Sequence, residues 1–104
     1  MAIIYHVTSM QEWNRASENG VYIAPSLEQE NFIHCSKAEQ VDGVLSRYFK
    51  GREDLVRLTI DTEKLIVPWQ YDLAPSINEE FPHVYGPINT DAVVEIAAIS
   101  AVGV

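Results

Sequence analysis

A chain of 104 residues with 47% apolar side chains has material for one buried core and too little length for a second, so residues 1–104 are expected to form a single α+β domain. Fifteen acidic against seven basic side chains give a formal charge of −8, which repels phosphate backbones and argues against general nucleic-acid binding. Cys35 has no second cysteine to pair with, and there is no leader pattern or long apolar run; the expectation is a cytoplasmic monomer or small homo-oligomer away from membranes.

Ala2 to Val7 reads as a first strand. Ser9 and Glu12 then have the spacing of a helix start, Met10, Trp13 and Ala16 share one helical face, and Asn19-Gly20 supplies the stop. Val21 to Ala24 is expected to be a short extended piece broken by Pro25-Ser26. Asn31 to Ser36 alternates like a strand, and Ser36 with Glu39 repeats the helix-start spacing. The second main helix follows, with Ala38, Val41, Val44 or Leu45, and Tyr48 as its buried stripe and Lys50-Gly51 as its end.

Leu55 to Ile60 is the clearest strand: Val56, Leu58 and Ile60 fall on one face, Leu55, Arg57 and Thr59 on the other. A turn is expected over Asp61–Lys64, a strand entering at Leu65-Ile66-Val67, and a surface loop over 74–82, where prolines and acids accumulate. His83-Val84-Tyr85 forms a short strand stopped by Gly86-Pro87, and Ala92 to Ile99 a final apolar one, with a helix as the alternative because of its alanines.

Neither a phosphate loop nor a dinucleotide fingerprint is present. The chemistry-bearing residues instead interrupt strands: Tyr5-His6-Val7-Thr8, Phe32-Ile33-His34-Cys35-Ser36 and Pro82-His83-Val84-Tyr85-Gly86-Pro87. Sheet pairing can bring the three imidazoles together, where they would hydrogen-bond a ribose or phosphate or move a proton near neutral pH. His6 and His34 are the candidate catalytic residues; Thr8, Ser36, Arg57, His83, Tyr85 and Asn89 are the candidate ligand contacts. Each has a plainer alternative: Ser36 caps a helix, Arg57 forms a surface ion pair, Asn89 caps a turn, Trp13 and Cys35 fill the core. His34 and Cys35 are adjacent and so point to opposite faces of a strand, which disfavours a catalytic pair. The spacings of zinc sites are absent, and no metal is expected.

The ordered set Ile4-Tyr5-His6-Val7-Thr8, Trp13, Ala16, Gly20, Ser26-Leu27, Phe32-Ile33-His34-Cys35-Ser36, Gln40, Leu55 to Asp61 and Pro82 to Asn89 spans nearly the whole chain. In it the chain resembles the small proteins of domain-of-unknown-function family 952 (DUF952). That resemblance implies a fold similar to the ADP-ribosyltransferase superfamily, which includes relatives of the RNA 2′-phosphotransferases. It implies a split, mixed β-sheet, two main helices, and a cleft for NAD or another nucleotide-like small molecule. His6, on the first strand, would meet the nicotinamide ribose, Phe32 to Ser36 would wall the cleft, and His83 to Tyr85 would come from a later strand. The arginine set of the RNA 2′-phosphotransferases and a placed catalytic glutamate are missing. The implied function is a cleft protein with ADP-ribosyltransferase-like chemistry on a nucleotide-related substrate; the alternative is a noncatalytic small-molecule or protein-interaction module.

Overall fold

The computed structural model describes residues 2–103. The first strand, β1 (Ile3–Ser9), runs antiparallel to β4 (Leu55–Asp61), which in turn pairs with β8 (Val93–Ile99). Two-residue alternation then decides what each face meets. Ile4, His6 and Thr8 lie opposite Ile60, Leu58 and Val56, and this face builds the larger core with Trp13, Tyr22, Ile33, Val84 and Ile88. The other face carries Val7 and Leu55 into a second cluster with Val41, Leu45 and Ala101.

Helix α1 (Met10–Asn19) starts where expected: Ser9 Oγ accepts the Glu12 N–H at 3.1 Å, and Gly20 ends the helix in the left-handed region at φ 82°. Trp13 and Ala16 are its buried residues. After β2 (Val21–Tyr22) the chain does not simply break at Pro25; it begins a short helix, α2 (Pro25–Glu30), because proline's fixed φ and missing N–H suit a first helical turn.

Ser36 is not a helix cap. Its backbone bonds both ways with Tyr5 (2.7 and 2.8 Å) in an isolated bridge after β3 (Ile33–His34). The helical path starts one residue later, where Gln40 Oε1 accepts the Lys37 N–H at 2.9 Å, and continues through a 3-10 turn into α3 (Val41–Tyr48). Val41 and Leu45 of the expected stripe are buried, whereas Ala38 and Tyr48 are exposed.

The proline-rich stretch expected to be a loop is mostly a hairpin: β5 (Trp69–Ala74) pairs with β6 (Glu79–Val84), leaving only positions 75–78 as the turn. Pro82 is accommodated because its carbonyl points to β3, accepting the Cys35 N–H at 2.9 Å. Its nitrogen lies on that same side, so the ladder to β5 loses no donor. The strand expected from Leu65 instead begins after Pro68. A two-stranded pair of β2 with β7 (Ile88–Asn89) completes the fold.

The protein is α+β, with sheets ordered β1-β4-β8, β2-β7 and β3-β6-β5. Sheet material is split as expected, but every assigned strand pair is antiparallel rather than mixed: β5 and β6 are joined by a hairpin turn, and the stretch carrying the helices between β1 and β4 brings the chain back in the opposite direction. Two main helices are present, with α2 as a short third. No helix among the described residues is long and apolar enough to cross a membrane.

Gly86 is held by a close approach: a Cβ there would lie 2.7 Å from Val67 Cγ1 and 2.9 Å from Val67 Cβ. Gly86→Ala is therefore expected to lower stability by about 1–3 kcal/mol through overpacking, read from the urea midpoint; an unchanged midpoint would show that Val67 yields freely.

Candidate functional site

The bridge between Tyr5 and Ser36 joins the first sheet to the third at a single point, and the side chain of His6 completes the join. Its Nδ1 lies 2.6 Å from the carbonyl of His34, and its Nε2 lies 2.8 Å from the hydroxyl of Tyr22, which is 3.1 Å from Thr8 Oγ1. Burial dominates the titration of this imidazole, driving its pKa down to about 4 against the bond to the His34 carbonyl, which favours the charged form. The ring is therefore neutral at pH 7. A carbonyl can only accept, so the one ring proton sits on Nδ1 and Nε2 must accept from Tyr22. The two hydroxyls can share their contact in either direction; neutral His6 selects the order in which Thr8 donates to Tyr22 and Tyr22 to His6. Burial also pushes the Tyr22 hydroxyl up to about 12, which keeps it a donor.

The third sheet collects the other polar groups on one face. His34 and His83 are cross-strand partners, and Gln70 lies opposite His83 on the other side. Period-two alternation adds Phe32, Tyr85 and Asp72 to that face, while Ile33 and Val84 point into the core. The His34 and His83 rings meet edge to face at 5.2 Å, and Phe32 stacks on His83 at 3.9 Å. His34 Nε2 pairs with Glu30 Oε2 at 2.8 Å, both side chains being about half exposed, so this pair adds little stability. His83 Nδ1 is 2.8 Å from Asp72 Oδ2, an oxygen that also accepts from the Tyr85 hydroxyl, while Gln70 Nε2 bonds Asp72 Oδ1 at 2.6 Å. The bond from Tyr85 leads the effects that hold the Asp72 carboxyl below the usual range.

Between the two sheets lies a cleft of about 810 Å³, within the size range of small-molecule sites. His6, Thr8 and Tyr22 line it, as do His34, Ser36 and His83. The start of α1 contributes Glu12, α3 contributes Val44 and Tyr48, and the β5–β6 turn contributes Ile77. Arg52 is its one permanently cationic lining residue among those described, and it is already paired with Asp54 at 3.0 Å. Burial raises the Cys35 thiol well above its ordinary range, so this cleft residue is a poor thiolate.

The sequence candidates thus divide. His6, Thr8, His34, Ser36 and His83 come together at the cleft, and Tyr85 stands behind His83 through Asp72. Arg57 does not line it. Opposite Val7, it belongs to the face of the first sheet turned away from His6, over the Tyr5 ring and 3.4 Å from Glu95. Asn89 is a structural clip, donating to the Lys64 carbonyl at 2.8 Å and accepting from Ile66 N–H at 3.3 Å. Tyr22 and Asp72 are the site residues that sequence reasoning missed. The alternation of Trp69 and Tyr71 was the available signal for Asp72, since it puts residues 70 and 72 on one face; nothing local marks Tyr22. No group of three or more metal-ligating side chains occurs among the described residues.

A small α+β protein with a histidine-lined cleft at the junction of two antiparallel sheets is the class that this geometry defines. The family described as "Protein of unknown function (DUF952)" matches residues 7–96, and the chain belongs to that family. Among solved structures, it is similar to the crystal structure of protein CC0527 from Caulobacter crescentus, at 28% identity and a TM-score of 0.83 over 92% of this chain and 84% of that one. The solution NMR structure of CC0527 gives 27% identity and a TM-score of 0.79 over 96% and 86%. No curated protein matches.

Because His6 takes up a proton near pH 4 when folded but near its ordinary 6.5 when unfolded, the unfolded chain binds more protons throughout that window. Stability should fall as pH drops from about 6.5 to about 4, by on the order of 3 kcal/mol from this residue. His83, also lowered chiefly by burial, acts in the same direction. Urea unfolding at pH 7 and pH 5 should give a smaller difference for His6→Asn than for wild type; equal differences would dismiss His6 as a source. Tyr22→Phe leaves His6 Nε2 without its donor and should cost about 1–3 kcal/mol at pH 7, measured the same way.

Proposed function

We propose that this is a cleft protein for a nucleotide-related small molecule, with ADP-ribosyltransferase-like chemistry on NAD as its reaction. One observation carries the reading: the His34 and His83 rings, 5.2 Å apart, face a shared cleft of about 810 Å³ beside the hydroxyl-bearing Thr8 and Ser36. Such a surface offers ring edges and hydroxyls to a ribose. The likeness to the ADP-ribosyltransferase superfamily that the sequence resemblance implies supports the same ligand class.

In this reading His6 has a different task from the one the resemblance implies. Both its ring nitrogens are engaged inside the protein, so it positions the His34 backbone and the Tyr22–Thr8 hydroxyls, and these with His83 meet the ligand. Arg52 is the one permanent cation among the described lining residues, so a phosphate would have to compete there with Asp54, and the shortage of other cations limits the site to small ligands whose remaining charge stays in solvent. A second reading, noncatalytic binding, is favoured by Glu30: this cleft carboxylate is spent on His34 rather than left free for chemistry.

Calorimetric titration with NAD, ADP-ribose and nicotinamide, alongside chromatography for released nicotinamide, separates these. The expected result is saturable NAD binding weakened at least about tenfold, or 1.4 kcal/mol, in His83→Ala, with nicotinamide released by wild type. Binding without release would select the noncatalytic module, and no saturable binding of any of the three would end the NAD reading.

A further inference from the structure

We propose that His83 is the general base of the cleft, held in its working tautomer by an Asp72–Tyr85–Gln70 brace; the reaction assigned to it rests on the NAD reading above.

The brace follows from strand geometry. Gln70 and Asp72 project from the same face of β5, and His83 and Tyr85 from the same face of the neighbouring β6 and the residue that continues it. Asp72 therefore reaches His83 diagonally, through Oδ2 at 2.8 Å, while Tyr85 donates to that same oxygen and Gln70 to Oδ1 at 2.6 Å. With both oxygens accepting, the carboxylate is fixed in place and in charge. An ionised carboxylate can only accept, so the ring proton of neutral His83 must sit on Nδ1.

That leaves the Nε2 lone pair. His83 lines the cleft, and its Nε2 has neither a bond to a protein group nor full burial among the described residues. Phe32, stacked at 3.9 Å with only 12° between the planes, fixes the ring's plane. The groups facing His83 are His34 from β3, Glu30 from α2, Asp72 and Gln70 from β5, and Tyr85. Burial leads in lowering its pKa, joined by His34 and opposed by Asp72 and Glu30. A neutral imidazole with its donor nitrogen anchored on a carboxylate and its acceptor nitrogen open to a cleft is the arrangement a general base requires.

The step it would serve balances as follows. Nε2 takes the proton of a water or alcohol as that oxygen bonds the anomeric carbon of the NAD ribose. The carbon–nitrogen bond to nicotinamide breaks with its electron pair moving to the ring nitrogen. This cancels the pyridinium charge, so nicotinamide leaves neutral and the proton remains on His83. Asp72 and Tyr85 are positioning residues.

The base can be tested without any ligand. Diethyl pyrocarbonate is attacked by neutral imidazole nitrogen, and mass spectrometry of the treated protein reports each histidine separately. At pH 7 we expect His83 to be modified at least about tenfold faster than His6, whose nitrogens are both engaged. In Asp72→Asn, whose side-chain amide can donate to Nδ1 and so favour the opposite tautomer, the His83 rate should fall about tenfold, with a cooperative melt retained. Long-range proton–nitrogen NMR spectra should show the Nδ1–H tautomer of His83 in wild type and in Tyr85→Phe, and its loss in Asp72→Asn. A His83 rate no greater than that of His6, or a tautomer and rate unchanged in Asp72→Asn, would overturn the proposal. A reactive, correctly protonated His83 in a protein that does not bind NAD would keep the base and discard the NAD reading; NAD binding with an inert His83 would do the reverse.

Discussion

The fold turns on one buried imidazole. Two antiparallel sheets approach each other at β1 and β3 but share a single backbone bridge, between Tyr5 and Ser36. His6 fills the gap beside it, donating to the His34 carbonyl and accepting from Tyr22. An aliphatic side chain would pack there but would leave that carbonyl and hydroxyl without their partner, an expensive omission at such depth. A charged ring would be expensive as well, and burial keeps it neutral. The residue that looks most like a catalyst in the sequence also serves as a joint, with both ring nitrogens engaged by the protein and the ring neutral at pH 7.

From that joint the cleft inherits its two unlike walls. The wall from the first sheet is a chain of hydroxyls anchored on His6. The wall from the third sheet is an array of aromatic and imidazole rings braced by one carboxylate, Asp72. Neither wall depends on long-range charge, in keeping with a chain of net charge −8 that has little positive potential to spare. What the two walls offer is ring faces and directional hydrogen-bonding groups, whose interactions retain their strength in salt better than exposed ion pairs do.

Parts of this were legible in the sequence because the signals are local. Ser9 and Glu12, Gly20, and the alternation from Leu55 to Ile60 each encode an element within a few residues, and α1 and β4 formed accordingly. The convergence of His6, His34 and His83 was legible only as far as all three interrupt strands. What was hidden depends on pairing over distance. β2, β3 and β7 are two residues long, too short for a periodic pattern, so Tyr22 carries no mark of its place beside His6. The acids and proline of Glu79 to Pro82 speak for a loop locally, and only the partner strand β5 makes them a hairpin. Arg57 shows the opposite lesson: its alternation with Leu55 already set it on the face away from Val56 and Leu58, and register with β1 then separates it from His6.

The solitary bridge at Tyr5 and Ser36 has a mechanical meaning. A long ladder resists rotation as a weld does, whereas two backbone bonds and one imidazole make a rivet. Each sheet keeps its own register up to the junction, and what holds the two together beyond these bonds is the larger core, to which Ile4 and Val56 contribute from one side and Ile33 and Val84 from the other. The setting of one sheet against the other therefore rests on side-chain fit rather than on a ladder of backbone bonds.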